Sequence, residues 1–318
     1  MLKLGIIGAG IMGERLLRAA LEHAPDVAQV SGIWDAVPAA LDRIGAALPG
    51  VNRAGSASEV INSADCVYVA TPPSAHLEYA EQALAGGKAV FLEKPLAVDV
   101  AAADAFARRY AGERVAINFP FASSLAVQKL QAWMEQGVLG APGSLSIEVG
   151  FRAWPRPWQQ GAAAWLAGPG EGGFTREVVS HFLFLSRRML GPLRLASSQV
   201  VYEGSGTERL VHARFEAGAV KGRLRGSVGE TDKDDTNSWT LRGIGSIRLR
   251  DWSIAERERP GGEWVADPDA VPNEKARPLV LRRQLEQVAR MTRGEPHHLA
   301  RLYEAFEVQA VVERILRA

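Results

Sequence analysis

The feature that most limits what this chain can fold into is the hexapeptide Gly8-Ala9-Gly10-Ile11-Met12-Gly13, set between a short apolar run and a helical repeat. The run Leu2 to Ile7 is too brief for a helix and suits a strand buried on both faces of a parallel sheet. From Ile11 to Leu21 the apolar positions Met12, Leu16, Leu17 and Ala20 return at helical spacing. In a strand, turn, helix of this kind the first glycine permits the tight turn, the second lets a pyrophosphate approach the backbone, and the third lets helix and strand pack closely. The helix N-terminus then offers its amides to the phosphates. Gly8, Gly10, Ile11, Met12 and Gly13 are therefore candidate cofactor-binding residues.

With 32 glycines in 318 residues the pattern alone is a weak signal, so its context decides. Val27 to Trp34 reads as a second strand, and Asp35 ends it 22 residues after Gly13, where a carboxylate can accept from an adenosine ribose. Asp35 could instead cap the helix that begins near Pro38. A carboxylate there disfavours a 2′-phosphate, and Ala36, Val37 and Pro38 bring no cation, so NAD is expected, with NADP possible. Asp65 to Ala70 and Lys88 to Leu92 read as further strands with a helix from Ser74 to Ala85 between them, and Arg114 to Asn118 can supply a sixth. Thr71-Pro72-Pro73 with His76 follow one carboxyl end and Glu93-Lys94-Pro95 the other, where ligands collect in open α/β sheets.

These three motifs, in this order, resemble the glucose–fructose oxidoreductase, inositol dehydrogenase and rhizopine-catabolism (Gfo/Idh/MocA) oxidoreductase family. The resemblance implies an α/β plus α+β chain. Residues 1–120 would form an N-terminal Rossmann domain, a doubly wound parallel sheet that binds NAD(P). Residues 121–318 would form a substrate-binding and oligomerisation domain around an open, mostly antiparallel sheet, with room for the C-terminal helices to pack back on the first domain. It further implies a dehydrogenase or reductase that moves hydride between nicotinamide and an alcohol or carbonyl of a small molecule, a sugar, polyol or derivative, in a homodimer or homotetramer.

In the second half the family's motif has two glycines, then an Asp, then a His four further on. Here Gly172-Gly173 and His181 match, Glu177 stands in the Asp position, and Phe184 stands where the family commonly has another Asp. Helical spacing puts Glu177 and His181 on one face. By resemblance His181 carries the proton, Glu177 orients it, and Lys94 hydrogen-bonds the reacting oxygen. Two other readings stay open: a non-catalytic dinucleotide-binding sensor or regulator, and a reductase of an imine or carboxylated substrate using Arg152, Arg156 or Arg176 as an anion clamp.

Composition narrows the partners. Lys plus Arg total 37 against 36 for Asp plus Glu, so no global field selects nucleic acid. A single cysteine, Cys66, cannot form an internal disulfide or a metal cluster and reads as a buried small hydrophobe, which fits a cytoplasmic protein. No apolar run is long enough for a membrane span, and Leu4 to Gly13 lacks a signal-peptide cleavage site. No metal is expected: His23, His212, His297 and His298 have no acidic partner at ligand spacing, and Glu230 to Asp235 lacks the pattern of a calcium loop. From Ser144 onward the alternation turns to strands, at Leu145 to Val149, Val200 to Tyr202, Arg209 to Phe215, Ala219 to Val228, Ser238 to Leu241 and Ser246 to Leu249. The stretch from Phe151 to Gly173, with Trp154, Trp158 and Trp165, reads as a loop that either shapes a substrate pocket or is anchored to the core. Leu279 to Arg293 and Leu299 to Leu316 read as amphipathic helices.

Overall fold

The structure, a computed structural model, describes residues 1–204 and 206–317. The chain divides into two compact units, Met1–Ser123 with Pro278–Phe306 and Ser124–Arg277 with Glu307–Ala318.

In the first unit β1 (Leu2–Ile7) runs through the glycine turn into α1 (Ile11–Arg18), which a π-helical turn extends over Ala19–His23. There follow β2 (Ala28–Trp34), α2 (Pro38–Ala47), α3 (Ala57–Ser63), β3 (Cys66–Val69), α4 (His76–Ala85), β4 (Ala89–Leu92), α5 (Val100–Arg109) and β5 (Val115–Ile117). The strands pair in parallel in the order β2-β1-β3-β4-β5. The order reverses between β1 and β3, so their carboxyl ends form the switch point at which such sheets bind ligands. The glycine turn leaves β1 there, and the loops carrying Thr71 and Lys94 leave β3 and β4 at the same edge.

Within the expected stretch Arg114 to Asn118, Val115–Ile117 forms the fifth strand, and the described residues of this sheet contain no sixth. Between β2 and β3 the chain yields α2, α3 and one isolated bridge from Ile33 to Arg53, because Pro49, Gly50, Asn52 and Gly55 break any strand pattern. Leu4, Ile6, Tyr68 and Phe91 are fully buried, and Leu285 and Val288 from the C-terminal part of the unit join the same core.

In the second unit α6 (Leu125–Glu135) precedes an eight-stranded sheet whose first strand is β6 (Ser144–Phe151). A loop with the short α7 (Ala163–Leu166) and a π-helical turn, Thr175–Val179, lead into α8 (Ser180–Leu190). The remaining strands are β7 (Leu193–Tyr202), β8 (Glu208–Ala217), β9 (Val220–Val228), β10 (Thr236–Arg242), β11 (Ser246–Arg250), β12 (Ile254–Glu258) and β13 (Trp264–Ala266). They lie in the order β13-β12-β11-β10-β6-β9-β8-β7, antiparallel except for β6 with β9. Alternation buries Val211, Ala213, Phe215 and Leu224 and turns His212, Arg214, Arg223 and Arg225 outward. Trp239 on the covered face is fully buried and donates its indole N–H to Ser186 Oγ on α8 at 2.9 Å. The chain ends in α9 (Asn273–Thr292) and α10 (Leu302–Leu316).

Candidate active site

The glycine turn is built for close approach. Gly8 has φ +106°, and a Cβ there would lie 2.5 Å from the Ala70 carbonyl; a Cβ on Gly13 would lie 1.8 Å from the Gly8 oxygen. These two glycines hold the turn closed against β3 and α1. A Cβ on Gly10 would meet nothing within 4 Å, and α1 starts there without a side-chain cap. The amide end of α1 thus faces open space suited to an anion.

Asp35 braces this turn. Its Oδ2 accepts from Ala9 N–H at 2.6 Å and its Oδ1 from Val37 N–H at 2.8 Å, whereas the residue capping α2 is Val37. The capping alternative therefore falls, and Asp35 joins the glycine turn to the end of β2. The expectation of no nearby cation also needs correcting. Arg43 donates Nη2 to the Ala9 carbonyl at 2.6 Å and pairs with Glu14, reaching the turn from α2, one helical repeat beyond the residues next to Asp35. Burial alone would raise the Glu14 carboxyl, yet hydrogen bonds from Arg43 and Arg18 hold it below its ordinary value.

The two loops at the carboxyl edge are tied to one another and to the interior. His76 is buried, with Nδ1 at 2.7 Å from the Pro95 carbonyl and Nε2 at 2.8 Å from the Thr71 carbonyl. Its imidazole clamps the Thr71 loop to the Lys94 loop, so it shapes the cofactor edge from behind. Glu93 also turns inward: Tyr68 donates its hydroxyl to Glu93 Oε1, and Asn118 Nδ2 donates to the same oxygen at 2.6 Å. Gln284 Nε2 donates to Asn118 Oδ1 at 2.6 Å. Burial, and then the Glu93 charge, push the Tyr68 hydroxyl well above its usual range. The next residue, Lys94, is half-buried, and the Lys94–Pro95 peptide is cis. Pro73 is buried under this edge, and Thr71 Oγ1 is buried without a hydrogen-bond partner among the described residues. An orphaned hydroxyl there is what a polar ligand lying against the loop would satisfy.

The sequence reading missed Tyr68, Asn118 and Gln284. The available signal was a tyrosine within the apolar strand Cys66–Val69 and an asparagine directly after the buried strand Val115–Ile117. Cys66 is fully buried, which pushes its thiol up to about 12, so it supplies no nucleophile.

In the second unit Glu177 lies within the π-helical turn and His181 in the first turn of α8, both half-buried. The simple helical spacing expected between them is thus interrupted by the wider π turn, a device frequent at functional sites. Gly173 sits at φ +101° before this turn, where a Cβ would lie 2.3 Å from Glu208 Oε2. Glu208, from β8, is 2% exposed and accepts Thr175 N–H at 2.6 Å, fixing the start of the helical segment. Burial raises its carboxyl, with hydrogen bonds from Thr175 acting against that rise. Phe184 is packed in the core.

His181 packs edge-on against Trp252, with ring centroids 5.8 Å apart. Arg156 is buried, pairs with Asp235 at 2.6 Å and lies 4.7 Å from the centroid of the Trp158 ring. Arg176 forms a two-pronged pair with Glu313 and donates to the Pro169 and Gly172 carbonyls, while Arg152 pairs with Asp234 at 2.7 Å. All three arginines already hold carboxylates of the chain, Arg156 and Arg176 in largely buried pairs and Arg152 in an exposed one. Trp154 donates to the Leu166 carbonyl and packs on Phe151 and Phe174, so this part of the loop is anchored to the core. Among the described residues no group of three His, Cys, Asp or Glu could hold a metal ion.

A glycine turn, an acid ending the second strand and two ligand-edge loops on a five-stranded parallel sheet define a dinucleotide-binding domain. Residues 2–119 match the model of the GFO_IDH_MocA oxidoreductase family, described as an NAD-binding Rossmann fold, and this segment of the chain is similar to that family. An inositol 2-dehydrogenase of Klebsiella pneumoniae (strain 342) is 35% identical over 148 residues, 44% of this chain and 43% of the relative. An inositol 2-dehydrogenase of Rhizobium meliloti is 33% identical over 97 residues, 30% of this chain and 29% of the relative. The matches thus span less than half the length of these curated relatives.

The fold as a whole is shared with solved structures. An oxidoreductase from Agrobacterium radiobacter in complex with NAD+, L-tartaric acid and magnesium matches at TM-score 0.80 and 20% identity over 98% of this chain and 94% of its own. The WlbA dehydrogenase from Bordetella pertussis, in complex with NADH and UDP-GlcNAcA, matches at TM-score 0.78 and 20% identity over 99% of this chain and 95% of its own.

Proposed function

We propose that the protein is an NAD-dependent dehydrogenase or reductase acting on an alcohol or carbonyl carbon of a sugar, polyol or related derivative. The observation that carries this reading is Glu93-Lys94-Pro95 at the carboxyl end of β4 in the NAD-binding segment, with Glu93 locked inward and Lys94 beside it at the ligand edge. The inositol 2-dehydrogenase relatives point to the substrate class.

The residues present fit the dinucleotide. Gly10 and the start of α1 would hold the pyrophosphate, Asp35 the adenosine ribose, and the orphaned Thr71 hydroxyl a polar group along the loop. NAD, when bound, supplies the hydride acceptor or donor. The chain must then move one proton, because hydride leaving a carbinol carbon makes its hydroxyl acidic and hydride arriving at a carbonyl makes its oxygen basic. His181 takes that proton or returns it, since an imidazole titrates near neutrality. Glu177 steadies the imidazolium, and the Lys94 ammonium hydrogen-bonds the reacting oxygen as its charge develops.

We further assign a homodimer or homotetramer joined through the open sheet face, and a cytoplasmic location. No described helix is long and apolar enough to cross a membrane. The test is a screen of sugars, polyols and keto acids against oxidised and reduced NAD and NADP, following nicotinamide absorbance. Turnover of a polyol or sugar is expected. Tight NAD binding without any turnover would instead favour a sensor.

A further inference from the structure

Asp251 and Trp252 close the β11–β12 hairpin with φ of 50° and 69°. The left-handed region is disfavoured for every residue with a Cβ, and for a bulky aromatic it is a genuine outlier. Hairpins that need this backbone ordinarily use Asn, Asp and Gly, so a tryptophan persists only where its surroundings over-determine it.

They do so here through groups on β10 and the segment before it. Asp251 N–H donates to the Asn237 carbonyl at 3.1 Å, Trp252 N–H to Asn237 Oδ1 at 2.9 Å, and the indole N–H to Asp235 Oδ2 at 3.2 Å. Asp235 is itself fixed by Arg156 at 2.6 Å and by Asn237 Nδ2 at 3.0 Å. Arg156 in turn lies over the Trp158, Trp154 and Phe151 rings, at 4.7, 5.5 and 5.8 Å from their centroids. Turn and indole are thus pinned from both ends. What this arrangement delivers is a half-buried indole 5.3 Å from the Phe182 ring and 5.8 Å from the His181 ring, at 77° to the imidazole plane.

We propose that Trp252 is a positioning residue for His181, a wall that fixes the plane of the imidazole so that one nitrogen is presented to the reacting hydroxyl. This rests on the reading of His181 as the proton-transfer group. A free imidazole rotates about its last bond, and a proton transfer needs heavy atoms within hydrogen-bond reach and aligned. An edge-to-face partner restricts that rotation without competing for either nitrogen.

The test pairs spectroscopy with kinetics. In protein labelled at its six histidines, the His181 ring signals are identified by their loss in His181→Gln. Trp252→Ala is expected to move the His181 signals far more than the other five, and Trp252→Phe to restore most of the shift. With the substrate found by the screen, Trp252→Ala should lower kcat roughly ten- to a hundredfold, as misplacement of a catalytic group does, and leave NAD affinity unchanged. In the His181→Gln background it should cost nothing more. Asp235→Asn, which loosens the indole without removing it, should give a smaller shift of the same signals and covers the case in which Trp252→Ala does not fold. Unmoved His181 signals, or an equal loss of kcat with and without His181, would overturn the inference. Full turnover by His181→Gln would instead overturn the proton-transfer reading beneath it.

Discussion

Single side chains at the glycine turn owe their work to their partners. Asp35 uses both oxygens on backbone amides of the glycine turn and its own bend, and Arg43 reaches the same turn already paired with Glu14. NAD should therefore bind more tightly than NADP, since a 2′-phosphate would meet the Asp35 charge. Asp35→Ser is expected to shift the ratio of the two dissociation constants toward NADP by roughly tenfold or more, the worth of one charged hydrogen bond. Calorimetric titration of both cofactors checks this, and an unchanged ratio would remove Asp35 from the ribose site. Glu177 and His181 should act as one unit. His181→Ala should slow turnover by roughly two to four orders of magnitude, Glu177→Gln by less, and the double variant by little more than the first alone. Losses that multiply in the double variant would mean that the two residues work independently.

At the scale of elements, two buried carboxylates hold the segments that carry the proposed chemistry. Glu93, with Tyr68 and Asn118, locks the β4 loop; Glu208, across from Gly173, locks the start of the helical segment that bears Glu177 and His181. Glu208→Ala would leave the Thr175 amide without its acceptor and should destabilise the fold by about 1–3 kcal/mol. The pH dependence has a definite sign. The Glu208 carboxyl is raised in the folded state, so the folded chain holds that proton more tightly than the unfolded one. Its contribution to stability is full below the ordinary glutamate value and is lost as pH rises through the raised folded value. Denaturation followed across that window should show the decline in wild type and a flatter profile in Glu208→Gln; identical profiles would mean that Glu208 titrates normally.

At the scale of the whole molecule, the parts legible in the sequence are those written in local pattern. The glycine turn, the buried strands Cys66–Val69 and Ala89–Leu92, and the switch to strands after Ser144 follow from periodicity and turn chemistry. β7 runs from Leu193, well before the expected Val200, because it lies at the sheet edge and Ser197, Ser198 and Gln199 give it no apolar face. β12 was missed because Ile254 to Glu258 is mostly charged, its Glu256 buried between Arg248 and Arg250. Trp252, whose ring packs on His181, comes from a hairpin far along the chain, and no spacing rule encodes its meeting with His181 or with Asp235. The outward face of the large sheet sets Arg214 directly opposite Arg223, a like-charge pair that a partner surface can relieve. Light scattering should find a homodimer or homotetramer, and Arg223→Glu should change its dissociation; a monomeric wild type would refute the assembly.

We propose that hydride-transfer chemistry with NAD takes place at the ligand edge of β4, and Lys94→Ala is the decisive variant. NAD affinity by calorimetry and turnover of the best polyol or sugar by nicotinamide absorbance are measured on the same preparations. If Lys94 holds the reacting oxygen, NAD affinity stays within about threefold of wild type and turnover falls by roughly a hundredfold or more, the size of one lost electrostatic stabiliser there. Near wild-type turnover, or a loss of NAD binding that accounts for the whole effect, would contradict it.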